Sequence, residues 1–140
     1  MNRVMDRDRD QDKEDALKSL NDPSQSVYVR EEAVRTLAQQ PTVEQLTRLV
    51  HALEDKQFGV RWEAAVQLAD LGDVALPPLL RVLVNQHEST WLRQGAHHVC
   101  YYSSSARVRE ETQTLRKALR GPAAEVATAD AAVKLLQRWH

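Results

Sequence analysis

Apolar residues fall at helical spacing through most of the chain, and one block of that pattern recurs. From Gln57 to Gly72, QFGVRWEAAVQLADLG, Val60, Ala64, Leu68 and Leu71 share one stripe at steps of four, four and three, which is the period of a buried helix face. Tyr28-Val29-Arg30-Glu31-Glu32-Ala33 carries the same frame upstream, and Trp91-Leu92-Arg93-Gln94-Gly95-Ala96 carries it downstream. The frame is an aliphatic residue, Arg, two variable positions and Ala. Val60 stands 31 positions after Val29, and Leu92 stands 32 after Val60. That period identifies a repeat architecture.

Between these blocks the punctuation predicts a second helix in each unit. A helix from about Ser26 to Gln39 turns Val29, Ala33, Val34 and Leu37 inward. Pro41 then stops it, and Thr42 followed by Gln45 has the spacing of a capping box for a helix carrying Val43, Leu46, Leu49, Val50 and Leu53. The second unit pairs the Gln57 block with a short helix bearing Val74, Leu76, Leu79, Leu80, Val82 and Leu83, with Gly72 as a left-handed helix end and Pro77-Pro78 in the first turn. The third runs from about Thr90 to Tyr102 and, after Ser103-Ser104-Ser105, from Ala106 to Arg120 as its second helix. Gly121-Pro122 leads to a last helix with Val126, Ala129, Val133, Leu135 and Leu136. Ala16, Leu17 and Leu20 give a short helix from about Asp12, while residues 1–11, rich in Arg and Asp without an apolar stripe, read as a flexible charged tail before a repeat domain over 12–140.

A thirty-odd-residue hairpin with Val-Arg-x-x-Ala on its first helix and an Asp-containing turn before it resembles the HEAT repeat, specifically the short type similar to phycobilin-lyase repeats. The residues that carry the resemblance are Asp22, Val29, Arg30, Ala33 and Leu37, then Asp55, Val60, Arg61, Ala64, Leu68 and Gly72, with Leu92, Arg93 and Ala96 as a third, sparser copy. The resemblance implies an all-α fold, a right-handed α-solenoid of about three and a half helical hairpins. It also implies that Asp22, Asp55, Arg30, Arg61 and Arg93 are structural, tying neighbouring units through planar, multidentate guanidinium bonds.

The positions that the frame leaves free are the candidates for function. By the resemblance they lie on one exposed concave groove: Tyr28, Glu31, Glu32 and Arg35; then Phe58, Trp62, Glu63 and Gln67; then Trp91, Gln94 and His98. An aromatic centre with a polar rim is the composition of a protein-binding surface. The competing placement packs the rings between units, above all Phe58. A protein partner and no cofactor are expected, so the chain reads as a non-enzymatic scaffold. The alternative that the resemblance offers is a bilin lyase-like or lyase-associated subunit.

Charge and composition narrow this further. Nineteen basic and twenty acidic residues give a formal charge of −1, which supplies no bulk attraction to nucleic acid or to an anionic membrane. Cys100 is the single cysteine, and with no long apolar run the expected location is the cytoplasm. His97, His98 and Cys100 do not make a metal site by spacing, because His98 points about 100° from His97 on a helix and no further ligands complete a set. Arg107, Arg109, Arg116, Lys117 and Arg120 make one helix basic, interrupted by Glu110 and Glu111, a pattern that suits i,i+4 pairing. Self-association through the last helix stays open.

Overall fold

The computed structural model describes the backbone of residues 3–139, with side chains from residue 8. Among these residues the chain is helical throughout, in the order α1 (Arg3–Asn21), α2 (Val27–Leu37), α3 (Val43–His51), α4 (Phe58–Leu71), α5 (Leu76–Asn85), α6 (Thr90–Tyr101), α7 (Ala106–Glu111), α8 (Gln113–Arg120) and α9 (Ala124–Arg138). The starts are chemically explicit. Ser26, Ser89 and Ser105 accept the backbone N–H of Val29, Leu92 and Val108, and Thr42 forms the reciprocal capping box with Gln45. Gly72 ends α4 with φ +65 and ψ −130, a conformation open to glycine alone, and a Cβ there would meet Ser104 Oγ at 3.0 Å.

Helix α1 begins at Arg3, well before the start near Asp12 that its apolar stripe suggested. Met1 and Asn2 lie outside the described residues. A solvent-facing helix end needs no apolar stripe, and its polar groups find partners: Gln11 bonds Asp15 one turn on at 2.9 Å, and Arg9 reaches Gln40 Oε1 at 2.8 Å.

Two layers organise the array. Helices α1, α2, α4 and α6 stack side by side, each on the next, while α3 and α5 form the second layer. A continuous core threads both, with Leu20, Leu37, Leu49, Leu53, Leu68, Leu79, Leu83 and Leu92 fully buried. Full burial of one such leucine is worth about 1.5–3 kcal/mol relative to exposure, so the ribbon of them, not helix propensity, holds the array.

The C-terminal part departs from the predicted pairing. Helix α8 packs on α6 and on α9, while α9 packs on both α8 and α5, so α5, α6, α8 and α9 close into one four-helix group. The place beside α5 therefore belongs to α9, not to the Ala106–Arg120 segment. That segment is itself two helices, broken at Thr112 (φ −98, ψ 12). Its start resembles the frame, Ser105-x-x-Val108-Arg109-x-x-Thr112 with Thr in place of Ala, only 16 positions after Leu92. Val108 and Thr112 are 1% and 0% exposed, and the Thr112 hydroxyl donates to Val108 O at 2.6 Å. The serine loop fastens this segment to α4: Ser104 N donates to Ala69 O and Ser104 Oγ to Asp70 O, both at 2.9 Å, while Ser105 Oγ donates to Asp73 Oδ1.

Several apolar positions assigned to the core face solvent instead, among them Val43, Val74, Val126 and Val133. Each lies at the margin of a stripe already filled by leucine or alanine. Val29 is the instructive case. It is 42% exposed while Arg30 is 5%, because α2 is rotated to bring the guanidinium inside.

The rotation follows from what Arg30 finds there. Its Nη1 and Nη2 grip Asp55 at 2.9 and 2.6 Å, Nη1 also donates to Gln57 Oε1 at 2.7 Å, and Nε and Nη2 donate to Leu20 O at 3.2 and 2.6 Å. One side chain thus joins the end of α1, the body of α2 and the turn before α4. Burial alone would raise the pKa of Asp55, but the Arg30 bonds, the Gln57 N–H and the charges of Arg30 and Arg48 outweigh it and hold the carboxyl below its usual value. The other frame arginines are wired locally, each to the carbonyl six residues back: Arg61 to Asp55 O at 2.8 Å, Arg93 to His87 O at 2.7 Å and Arg109 to Ser103 O at 2.6 Å. Asp22 accepts from Ser24 and Gln25 within its own turn and, among the described residues, makes no direct bond to an arginine.

Candidate functional site

On α4 and α6 the inward stripes are taken by Val60, Ala64, Leu68 and by Leu92, Ala96, Val99, so residues one step round the helix must point outward. That is where the rings stand. Phe58 and Trp62, one turn apart on α4, stack with centroids 6.3 Å apart and planes at 24°. Across the helix boundary Trp62 meets His98 edge-on at 5.0 Å, His98 meets Tyr102 at 4.6 Å, and Tyr102 touches Tyr101 at 4.9 Å. Beside this row, Arg61 lies 4.2 Å over the face of Trp91 and 5.6 Å from Phe58. A cleft of about 200 Å³ opens between Phe58, Trp62, Trp91, Gln94 and His98, floored by Leu53.

The rings are not packed away between units. Trp62 and Trp91 are 51% and 42% exposed, and Phe58, the ring most expected to pack between units, is 67% exposed. Helix α6 also comes close to the turn after α3. Gly95 sits so near Leu53 that a Cβ would lie 3.0 Å from Leu53 Cδ2, which leaves no room between the helices for an aromatic ring. Tyr101 and Tyr102, 51% and 63% exposed, extend the row beyond the residues picked out by the repeat frame. Their signal was the i,i+4 step from His98 to Tyr102.

A polar cluster occupies the neighbouring stretch of α2 and α4. Arg35 pairs with Glu32 at 2.8 Å and with Glu63 at 3.3 Å, and Gln67 donates to Glu63 at 3.1 Å. Glu31 lies directly over Gly59, where an added Cβ would fall 2.2 Å from Glu31 Oε1. Tyr28 is elsewhere: 78% exposed, it lines a separate cleft between α1 and α2 with Val29 and Glu32. The predicted face is therefore two adjoining patches, and Tyr28 meets the polar one only through Glu32, which also lines its cleft.

Lys13 was not legible as a special residue, although it lies on one stripe with Ala16 and Leu20. It is 9% exposed, and its Nζ donates to Leu37 O at 2.9 Å, to Gln39 O and to Gln45 Oε1 at 3.2 Å, closing the end of α2. Burial and the nearby Arg9 charge pull its pKa down.

His97, His98 and Cys100 do not act together. Cys100 is fully buried, and burial pushes its thiol up to about 12, against the pull of the Thr112 hydroxyl and the Arg116 charge. Burial lowers the pKa of both histidines, and for His97 the charges of Arg120 and Arg116 add to it. Among the described residues no group of three or more His, Cys, Asp or Glu is placed to hold a metal ion, and no described helix is long and apolar enough to cross a membrane.

Stacked helices that share a ribbon core and leave one face to variable residues define an α-helical repeat protein. A model of HEAT repeats matches residues 14–99, more than half of the chain, and the chain belongs to that family. HEAT repeats are generally protein-interaction scaffolds. No curated protein and no solved structure matches the chain. The likeness to the phycobilin-lyase type of repeat rests on the sequence frame alone.

Proposed function

We propose that this chain is a non-enzymatic interaction module that takes a protein partner along the aromatic face of α4 and α6. The observation that carries the reading is the unbroken row Phe58–Trp62–His98–Tyr102, continued by Tyr101, with the Arg61–Trp91 pair at its flank. A lone exposed ring needs no explanation, but contiguous ones leave a large apolar area in water that a partner would cover. Large, stiff side chains make good anchors, since few rotors are frozen on binding. Arg35, Glu63 and Gln67 supply a polar margin in which neighbouring groups already hold one another in place, and Gln94 borders the cleft.

The test is a comparison of partner recovery by the wild type, a Trp62→Ala/Trp91→Ala variant and a Tyr28→Ala variant. The double variant should lose the partners and Tyr28→Ala should keep them, since Tyr28 stands in the other cleft. Equal recovery by the wild type and the double variant, with both folded by circular dichroism, would end this reading.

A further inference from the structure

Between α6 and α8 lies another cleft, of about 460 Å³, lined by His97, Tyr101, Gln113, Arg116, Lys117 and Arg120. Among the described residues three cations and no carboxylate border one opening in a chain whose formal charge is −1. The opposite charges at i,i+4 spacing in this segment are Arg107 and Glu111, outside the cleft. Among the described residues Arg116, Lys117 and Arg120 make no ion pair, and Glu111 is turned toward Arg138 at 3.9 Å.

The helix-end explanation covers only part of this. Lys117 and Arg120 lie in the last turn of α8, where cations complement the helix dipole. Arg116 lies earlier, one turn before Arg120, so the two like charges repel. It is held in place: Nη2 donates to Arg109 O at 2.8 Å, and the guanidinium lies 5.5 Å from the Tyr101 ring. Its Nε is buried and has no hydrogen-bond partner. A buried guanidinium N–H without a hydrogen-bond partner is costly, and here, among the described residues, only the Tyr101 ring offsets it.

We propose that this cleft is a binding site for a phosphate monoester. Two guanidinium groups, an ammonium, a phenol hydroxyl and an amide present donors in several planes, which suits a tetrahedral dianion better than a flat, singly charged carboxylate. A nucleic-acid strand asks for a track of cations along its length, whereas here the positive charge is confined to one opening. The site adjoins the aromatic row through the Tyr101–Tyr102 contact but does not depend on it.

The experiment titrates the isotope-labelled full chain with inorganic phosphate, against chloride at matched ionic strength, and follows amide shifts by NMR. Saturable shifts at Tyr101, Gln113 and Arg116 are expected. Lys117→Gln/Arg120→Gln, which leaves the anchored Arg116 in place, should weaken binding about tenfold or more, with the helical circular-dichroism spectrum retained, while Arg81→Gln on α5 should not. A phosphoserine peptide and its unphosphorylated form then separate a partner-borne phosphate from a free one. Competition between the phosphopeptide and phosphate for the same residues supports the site. Shifts that fail to saturate or survive the double variant would mean an adventitious ion only. Tighter binding of a single-stranded oligonucleotide through the same residues would overturn the monoester assignment.

Discussion

The two ends of this array solve the same problem with different materials. Toward the N-terminus, α1, α2 and α4 are joined by a buried charged hub, Arg30 with Asp55, Gln57 and Leu20 O. Toward the C-terminus, α5, α6, α8 and α9 close around apolar contacts such as Leu80, Leu115 and Leu135, and the frame arginines reach no farther than their own turns. The Val-Arg frame thus sets how a helix begins, not which layer the helix joins. Where a turn aspartate follows in the next unit, the arginine bridges units. Where His87 replaces it, Arg61 settles on the face of Trp91.

The hub should yield first and by the most. Arg30→Ala leaves a mostly buried carboxylate without its partner, and a loss of about 3–5 kcal/mol is expected in urea unfolding. Acid should tell the two ends apart as well. The folded pKa of Asp55 is depressed below 3.8, so its contribution is present above that value and is lost as pH falls through the lower folded pKa. The acid limb of stability should be shallower in Arg30→Ala than in the wild type.

At the apolar end, Leu135→Ala should cost about 2–5 kcal/mol with no change in pH dependence. A smaller effect is expected between the two regions, where Gly95→Ala must displace Leu53 and should cost about 1–3 kcal/mol in thermal melts. Ser105→Ala removes one cap and the surface bond to Asp73, and should cost about 1–2 kcal/mol. Arg61→Ala comes last, with local carbonyl bonds and two ring contacts at the surface to lose, at about 1 kcal/mol or less. If Arg61→Ala proved as damaging as Arg30→Ala, the distinction between bridging and local arginines would fall.

The same contrast explains what could be read in advance. The frames at Val29, Val60 and Leu92, the Thr42–Gln45 box and the Gly72 helix end all depend on short-range geometry, and all are local enough to show in sequence. The rotation of α2 that buries Arg30 and exposes Val29 depends on a carboxylate 25 residues away. The placement of α9 beside α5 depends on contacts between segments about fifty residues apart, and the frame-like start at Val108 reads as part of a charged helix because its apolar residue is flanked by Arg107 and Arg109. At the candidate face, Trp62, Trp91 and His98 were legible as positions the core did not need. That they touch one another is set by the spacing of α4 and α6, which no single helix encodes.

The seat of α9 against α5 also bears on how the chain folds. Most contacts in the array join helices that are close in sequence and can form early at little loop-closure cost. The α5–α9 contact must wait for α6, α7 and α8 to find their places. Docking of α9 should then be a late event. Substitutions at Leu135 would mainly accelerate unfolding and leave the folding rate nearly unchanged, so the last helix would act as the clasp that sets how long the assembled array persists.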